Sequence, residues 1–121
     1  MASLGKSKQL LSWGSNNFLD HTINQASSLN SKICVVVADI SPAGSMNLYR
    51  TKYPKRFINT GVAEQSMVGI AAGMALRGLK TFCYSIATFA LYRPFEMVRV
   101  DLCYQNLPVT IVGMGTGTVY S

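Results

Sequence analysis

The first half of the chain alternates between helix-like and strand-like spacing of hydrophobic residues. Apolar residues recur at an imperfect helical interval before residue 30, which predicts a helix over residues 15–29. The continuous β-branched run at residues 32–38 is typical of a parallel strand covered on both faces. Asp39 follows that strand directly. Residues 40–54 show no clean period, which predicts a connection with about one helical turn near residues 48–52.

The second half repeats this alternation. Its predicted elements, in chain order, are a short strand at 57–59, a helix at 63–77, a strand at 80–84, a helix at 94–105 and a strand at 109–113. Pro94 either lies in the first turn of the last helix or kinks a helix that begins at Thr88. Alternating helices and apolar strands predict an α/β fold, a parallel sheet with helices on both faces. With four strands, this sheet is predicted to be incomplete at its C-terminal end. The predicted domain map has a flexible N-terminus at residues 1–8 and a partial domain over residues 9–121.

The predicted helix at residues 63–77 contains two interior glycines, Gly69 and Gly73. Each costs helix stability, about 1 kcal/mol relative to alanine. We therefore expect another backbone to approach the helix closely at these positions. Gly61 is expected to form the turn into the helix, and Gly78 its C-terminal cap.

The charge of the chain is basic but dispersed. Eleven Lys and Arg residues against five acidic ones give a net charge of +6. The only basic cluster, at residues 50–56, is short and contains a proline, whereas nucleic-acid binders usually combine a basic face with stacking aromatics. Nucleic-acid binding is thus disfavoured, and the cluster is interpreted as a solvated turn or a rim that meets an anionic partner or phosphate.

The cysteines and the apolar runs indicate a soluble protein. Cys34, Cys83 and Cys103 lie in apolar segments without metal-site spacing, which predicts small buried thiols in a reducing compartment. The longest apolar run, residues 66–76, is far shorter than the roughly 18 to 20 residues that a membrane span needs. No signal peptide is recognisable, so we expect a cytoplasmic protein that does not contact a membrane.

Candidate chemistry collects after the predicted strands. Asp39, the segment 61–64 and the segment 85–89 each follow a strand, and ligands of open α/β sheets bind at the carboxyl ends of strands. The acid Glu64 at the start of a helix also has a simpler explanation, because the helix dipole favours a carboxylate there. Phe89 and the two aromatics that follow it at three-residue intervals are equally explained as core packing of a helix on the sheet.

Four segments resemble the pyrimidine-binding domain of transketolase-like thiamine diphosphate enzymes. The resemblance spans residues 33 to 115, in order and at the expected spacings. It is carried by the segments RFINTGVAEQ at 56–65, GIAAGMALRG at 69–78, YSIATF at 84–89 and QNLPV at 105–109.

The resemblance implies roles for five residues. In this family the Glu at the position of Glu64 hydrogen-bonds a ring nitrogen of the cofactor's aminopyrimidine and so promotes loss of the thiazolium proton. Phe89 would stack on the pyrimidine, and Tyr92 and Phe95 would complete the pocket. Asp39 would lie near the cofactor and the subunit interface. The small-residue helix after Glu64 would pack at that interface.

The chain departs from the family pattern in two ways. It has no Gly-Asp-Gly segment followed by Asn, the element that binds the diphosphate through a divalent metal, so a partner domain or subunit is expected to hold the diphosphate and Mg²⁺. It also ends before the Gly-Pro-Thr-His segment of the family, and its only histidine, His21, matches no catalytic position. No metal ligand is therefore predicted in this chain.

Several functions stay open at this point. The run RPFE at residues 93–96 is similar to separately encoded C-terminal transketolase subunits, which favours two-carbon ketol transfer between sugar phosphates within a homo- or hetero-oligomer. The segment at 78–83 is similar to deoxyxylulose-phosphate synthases, but those carry an Arg where this chain has Tyr92. A keto-acid dehydrogenase β-like subunit is a further alternative. The last is an inactive fragment that acts only as an interaction module.

Overall fold

The computed structural model describes residues 14–39 and 45–115, with side chains from residue 21 onward except that of Ser45. The flexible segment predicted at residues 1–8 lies outside the described residues, as does the first part of the connection after β1. The elements, in chain order, are α1 Gly14–Leu29, β1 Ile33–Val37, α2 Ser45–Lys52, a 3₁₀ turn Pro54–Arg56, β2 Phe57–Asn59, α3 Glu64–Leu76, β3 Lys80–Ile86, α4 Ala87–Tyr92, α5 Phe95–Met97, a π-helical segment Val98–Tyr104 and β4 Val109–Met114.

The four strands form one parallel sheet in the order β2-β1-β3-β4. Val36 of β1 pairs with Ile58 on one side and with Cys83 on the other. On β3, Tyr84 pairs in turn with Val112 of β4. The predicted parallel sheet is thus confirmed, with β1 and β3 as its two inner strands.

Helices cover both faces of the sheet, as predicted. Successive strand residues point to opposite faces, so each strand contributes to two separate cores. One core joins Val36 and Cys83 to Met67 and Ala71 of α3 and to Leu102 of the π-helical segment. The other joins Val35, Val37 and Tyr84 to Ile23 of α1 and to Met46 and Tyr49 of α2.

Two helices differ from their predicted form. The segment predicted as a helix at 94–105 is preceded by α4, and the two are separated by a turn at Arg93 and Pro94. The alternative of an interrupted helix is therefore correct, since a proline cannot donate the hydrogen bond that would continue α4. Helix α2 is eight residues long rather than one turn, because Met46 and Tyr49 are spaced to reach the sheet.

The two interior glycines of α3 face outward. Apart from the adjacent residues and the local backbone of α3, no atom lies within 4 Å of a Cβ built on Gly69 or on Gly73. The expectation of a close backbone approach is therefore wrong within this chain. Gly78 behaves as predicted, with a φ of +83° and its N–H donating to the carbonyl of Ala75 at 2.9 Å.

The cysteines divide into two environments. Cys34 and Cys83 are buried as predicted, and burial raises the pKa of both thiols, that of Cys83 to about 12. Cys103 is exposed, which corrects the prediction. Its neighbour Leu102 takes the inward position, and adjacent helical residues point about 100° apart. In the part of the chain that the structure describes, no helix is long and apolar enough to cross a membrane.

Candidate functional site

The candidate site lies where the inner strands and β2 end. Asp39 follows β1, Glu64 follows the turn after β2, and Phe89 lies in α4, which continues directly from β3. The strand order makes β2, β1 and β3 neighbours, so their carboxyl ends form one edge. The prediction that these three segments share an edge is confirmed.

The side chain of Asn59 bridges the ends of β1 and β2. The Oδ1 atom of Asn59 accepts the N–H of Asp39 at 3.1 Å and that of Gly61 at 3.0 Å. Both backbone donors belong to residues with positive φ, +41° at Asp39 and +70° at Gly61. The hydroxyl and the N–H of Thr60 both lie within hydrogen-bond distance of the Val37 carbonyl, at 3.1 and 2.9 Å. The sequence pattern did not identify Asn59 as a site residue. Through these contacts its side chain fixes the backbone at the ends of β1 and β2.

Glu64 is the first residue of α3, and its side chain is only 5% exposed. Burial of a carboxylate is costly unless it is paired and hydrogen-bonded. The partner is Arg93, whose Nη1 lies 3.1 Å from both Oε1 and Oε2 of Glu64. The pair joins the start of α3 to the turn after α4, residues 29 positions apart in the chain. Arg93 was not among the predicted site residues, and only its place in the RPFE run could have identified it.

The same guanidinium also covers an aromatic ring. The Cζ atom of Arg93 lies 3.9 Å from the centroid of the Phe89 ring, within the range of a cation–π interaction. The side chain of Arg93 is 46% exposed, so it forms the outer layer of the cluster, with the buried carboxylate beneath it. Its backbone carbonyl accepts a 3.4 Å hydrogen bond from Nε2 of Gln65. Glu64, Phe89 and Arg93 therefore form one contact group.

The remaining predicted site residues lie at the surface. Tyr92 is 78% exposed and Phe95 is 62% exposed, whereas Phe89 is half-buried. The interpretation of these three aromatics as ordinary core is therefore wrong for Tyr92 and Phe95. A turn separates the two helices that carry them, so their regular spacing does not continue along one helix face. Asp39 is also exposed.

Two buried hydroxyls lie at the same edge without a hydrogen-bond partner in the described structure. They are Oγ of Ser85, at the end of β3, and Oγ1 of Thr88, in α4. Ser85 is two residues beyond Cys83 on β3, so it lies on the sheet face that α3 covers. Buried polar groups are normally satisfied, so these two hydroxyls have hydrogen-bonding capacity that a ligand or a water molecule can fill.

These features suit a flat polar ring better than a metal ion. Glu64 offers a buried acceptor, Phe89 offers a ring face, and Ser85 and Thr88 offer unused hydroxyls. Among the described residues, no group of three or more His, Cys, Asp or Glu side chains could hold a metal. A groove of about 390 Å³ lies elsewhere, beside β4 and the π-helical segment. Its lining offers no carboxylate, so it lacks the chemistry found at Glu64.

The chain matches a family model and is similar in sequence to several known proteins. The family model "Transketolase, pyrimidine binding domain" matches residues 16–120. An apulose-4-phosphate transketolase subunit of Actinobacillus succinogenes is 40% identical over 85 residues, which is 70% of this chain and 27% of that protein. A 1-deoxy-D-xylulose-5-phosphate synthase of Clostridium perfringens is 38% identical over 97 residues, 80% of this chain and 15% of that protein.

A solved structure is similar as well. It is described as a split gene transketolase, inactive beta4 tetramer, and it matches with a TM-score of 0.71 and 35% sequence identity. The match covers 78% of this chain and 31% of that one. The chain thus spans less than a third of the length of each of these relatives.

Proposed function

The chain belongs to the transketolase pyrimidine-binding domain family, and on this premise we propose that it holds the aminopyrimidine half of thiamine diphosphate in an enzyme of two-carbon ketol transfer between sugar phosphates. One observation carries the proposal. The carboxylate of Glu64 is buried at the carboxyl edge of a parallel sheet, in one contact group with the ring of Phe89. Ligands of open α/β folds bind at this edge.

Glu64 is proposed to accept a hydrogen bond from the pyrimidine ring and to share a proton with it. The Glu64 side chain is only 5% exposed, and this burial restrains its oxygens while a proton moves. The cofactor, when bound, supplies the nucleophilic carbon that attacks the substrate carbonyl. The chain's own contribution is to bind and orient the ring and to keep water from the carboxylate.

The neighbouring residues are proposed to shape the ring's binding site. The face of Phe89 would stack on the pyrimidine. The unpartnered hydroxyls of Ser85 and Thr88 provide further hydrogen-bonding capacity at the same edge. Tyr92, Phe95 and Asp39 are proposed as the outer wall, and their exposure in the single chain is what an incompletely covered site would produce.

A partner subunit or domain is proposed to complete the site with the diphosphate-binding half and its Mg²⁺. Support comes from the relatives, one of which is described as a transketolase subunit and another as the product of a split gene. The outward-facing glycine face of α3 supports it too, because glycines in an exposed helix face cost stability that packing against a second chain could offset.

The test is to co-express the chain with a subunit carrying the diphosphate-binding half and to measure ketol transfer from a ketose phosphate to an aldose phosphate. Replacing Glu64→Gln should lower turnover by at least about 100-fold, the range for loss of a positioned acid–base group. Glu96→Gln is the control, since it removes an exposed carboxylate that pairs with Arg99. Full activity of Glu64→Gln would refute the mechanism.

A second function is supported by the similarity to 1-deoxy-D-xylulose-5-phosphate synthase. In that case the same Glu64 would serve a reaction that starts from a 2-keto acid instead of a ketose phosphate. Offering both donor classes to the same complex separates the two functions. If the complex binds no thiamine diphosphate and uses neither donor, the interaction module is the better description.

A further inference from the structure

Arg93 contacts the same two groups that a bound aminopyrimidine would contact, the Glu64 carboxylate and the Phe89 ring. Its Nη1 contacts both carboxylate oxygens of Glu64 at 3.1 Å, and its Cζ lies 3.9 Å from the ring centroid of Phe89. A guanidinium is flat, donates hydrogen bonds and stacks on aromatic faces. Those are also the properties by which an aminopyrimidine would bind a carboxylate and a ring face.

The side chain of Arg93 can move away from Glu64 and Phe89 while the backbone of residue 93 keeps its position. It is half-exposed, whereas the Glu64 side chain beneath it is almost fully buried. The backbone is held by the hydrogen bond from Gln65 to the Arg93 carbonyl and by the fully buried ring of Pro94. The guanidinium can therefore rotate toward solvent without a shift of α4 or α5.

We propose that Arg93 closes the pyrimidine site of the cofactor-free chain, and that its guanidinium must move off Glu64 and Phe89 before the aminopyrimidine can bind. This inference rests on the proposed function, because it names the aminopyrimidine as the incoming group. Arg93 is then an internal competitor that lowers cofactor affinity and keeps the buried carboxylate paired until the ring replaces it.

The affinity of the assembled complex for thiamine diphosphate tests the proposal. Arg93→Met keeps an unbranched apolar stem of similar reach but removes the charge and the donors. We expect the dissociation constant of Arg93→Met to fall about 5- to 100-fold, which corresponds to the net strength of a hydrogen-bonded charged pair. Titration calorimetry of the complex with Mg²⁺ and thiamine diphosphate measures this change.

Arg99→Met is the matched control. Arg99 is an exposed arginine paired with an exposed Glu96, so its loss changes the net charge equally but leaves Glu64 untouched. Its dissociation constant should stay within about 2-fold of the wild type, as expected for an exposed ion pair. If Arg99→Met tightens cofactor binding as much as Arg93→Met does, the lower net charge explains both results and the proposal is overturned.

The outcomes separate this inference from the proposed function. If the wild type binds the cofactor and Arg93→Met binds it no more tightly, the inference is overturned and the function stands. If neither protein binds, both are overturned.

If Arg93→Met fails to fold because Glu64 has lost its partner, Arg93→Lys is tested instead. Lysine keeps the positive charge but lacks the planar guanidinium that stacks on an aromatic ring and hydrogen-bonds both oxygens of a carboxylate. Tighter binding by Arg93→Lys supports the inference, and unchanged binding overturns it.

Discussion

A methyl group added to Gly113 would lie 2.8 Å from Cβ of Ala87 and 2.9 Å from its Cα. Gly113 belongs to β4, and Ala87 is the first residue of α4, the helix that carries Phe89. The helix therefore starts directly against the strand backbone. This close approach sets where the aromatic ring of the candidate site can lie.

The Gly113→Ala variant should be less stable than the wild type by about 1 to 3 kcal/mol, the usual cost of overpacking. The added methyl meets backbone as well as side-chain atoms, so no rotamer change relieves it. The urea midpoint of the chain measures the loss. Adding Ala87→Gly should restore only part of it, since the backbone of residue 87 still lies too close to the added methyl. An unchanged midpoint for Gly113→Ala would show that this close approach is not a constraint.

The Asn59→Ala variant should loosen the ends of β1 and β2. It removes the acceptor of two backbone N–H groups, those of Asp39 and Gly61, at a cost of about 1 to 2 kcal/mol. Hydrogen exchange of these two amides should accelerate. Asn59→Asp is the control, because a carboxylate oxygen can still accept both bonds. Equal exchange rates in all three proteins would contradict the bridging role.

Gly73→Ala should have opposite effects in the single chain and in the assembly. In the chain alone it should raise the free energy of unfolding by up to about 1 kcal/mol, because alanine favours the helix and nothing lies within 4 Å of its methyl group. In the assembled enzyme the same methyl should weaken association if a second chain packs on this face. Sedimentation at several protein concentrations measures association.

Gly61→Ala is the control for the stability measurement on Gly73→Ala. The space around Gly61 is equally open, but its φ of +70° is unfavourable for any residue with a Cβ. It should therefore destabilise the chain by about 1 to 2 kcal/mol. If Gly73→Ala left association unchanged, the outward face of α3 would not be an interface.

Thiol labelling should distinguish Cys103 from the two buried cysteines. Iodoacetamide should modify Cys103 in the folded chain, because this cysteine is exposed. In urea all three cysteines should react. Mass spectrometry of peptides identifies the sites. Equal labelling of Cys34 or Cys83 in the folded chain would contradict the described burial.

Burial of Cys83 also predicts a pH dependence of stability. Its pKa is raised from an ordinary value of 9.0 to about 12 in the folded chain. Between these values the unfolded state loses the proton first, so the folded state becomes less stable as pH rises from about 9 toward 12. Cys83→Ala should reduce this slope in urea titrations. A slope identical to that of the wild type would assign the pH dependence to other groups.

Local sequence spacing was sufficient to predict the four strands, the helices α1 and α3 and the location of the key acid. The continuous apolar run of β1 specifies a buried parallel strand, and the pattern of Phe57–Asn59 specifies a short, partly exposed one, since such patterns depend on neighbours in the chain. Glu64 was placed at the start of a helix for the same reason. The helix layers on both faces of the sheet followed from the alternation of elements.

Which side chains meet was determined by the tertiary structure alone. The ion pair of Glu64 with Arg93 and the bridge from Asn59 to Asp39 join residues 29 and 20 positions apart. Such pairings depend on the order of strands in the sheet and on the turn that Pro94 imposes after α4. No periodic pattern encodes either one. The sequence located a buried acid at the right edge, and the fold determined that an arginine lies upon it.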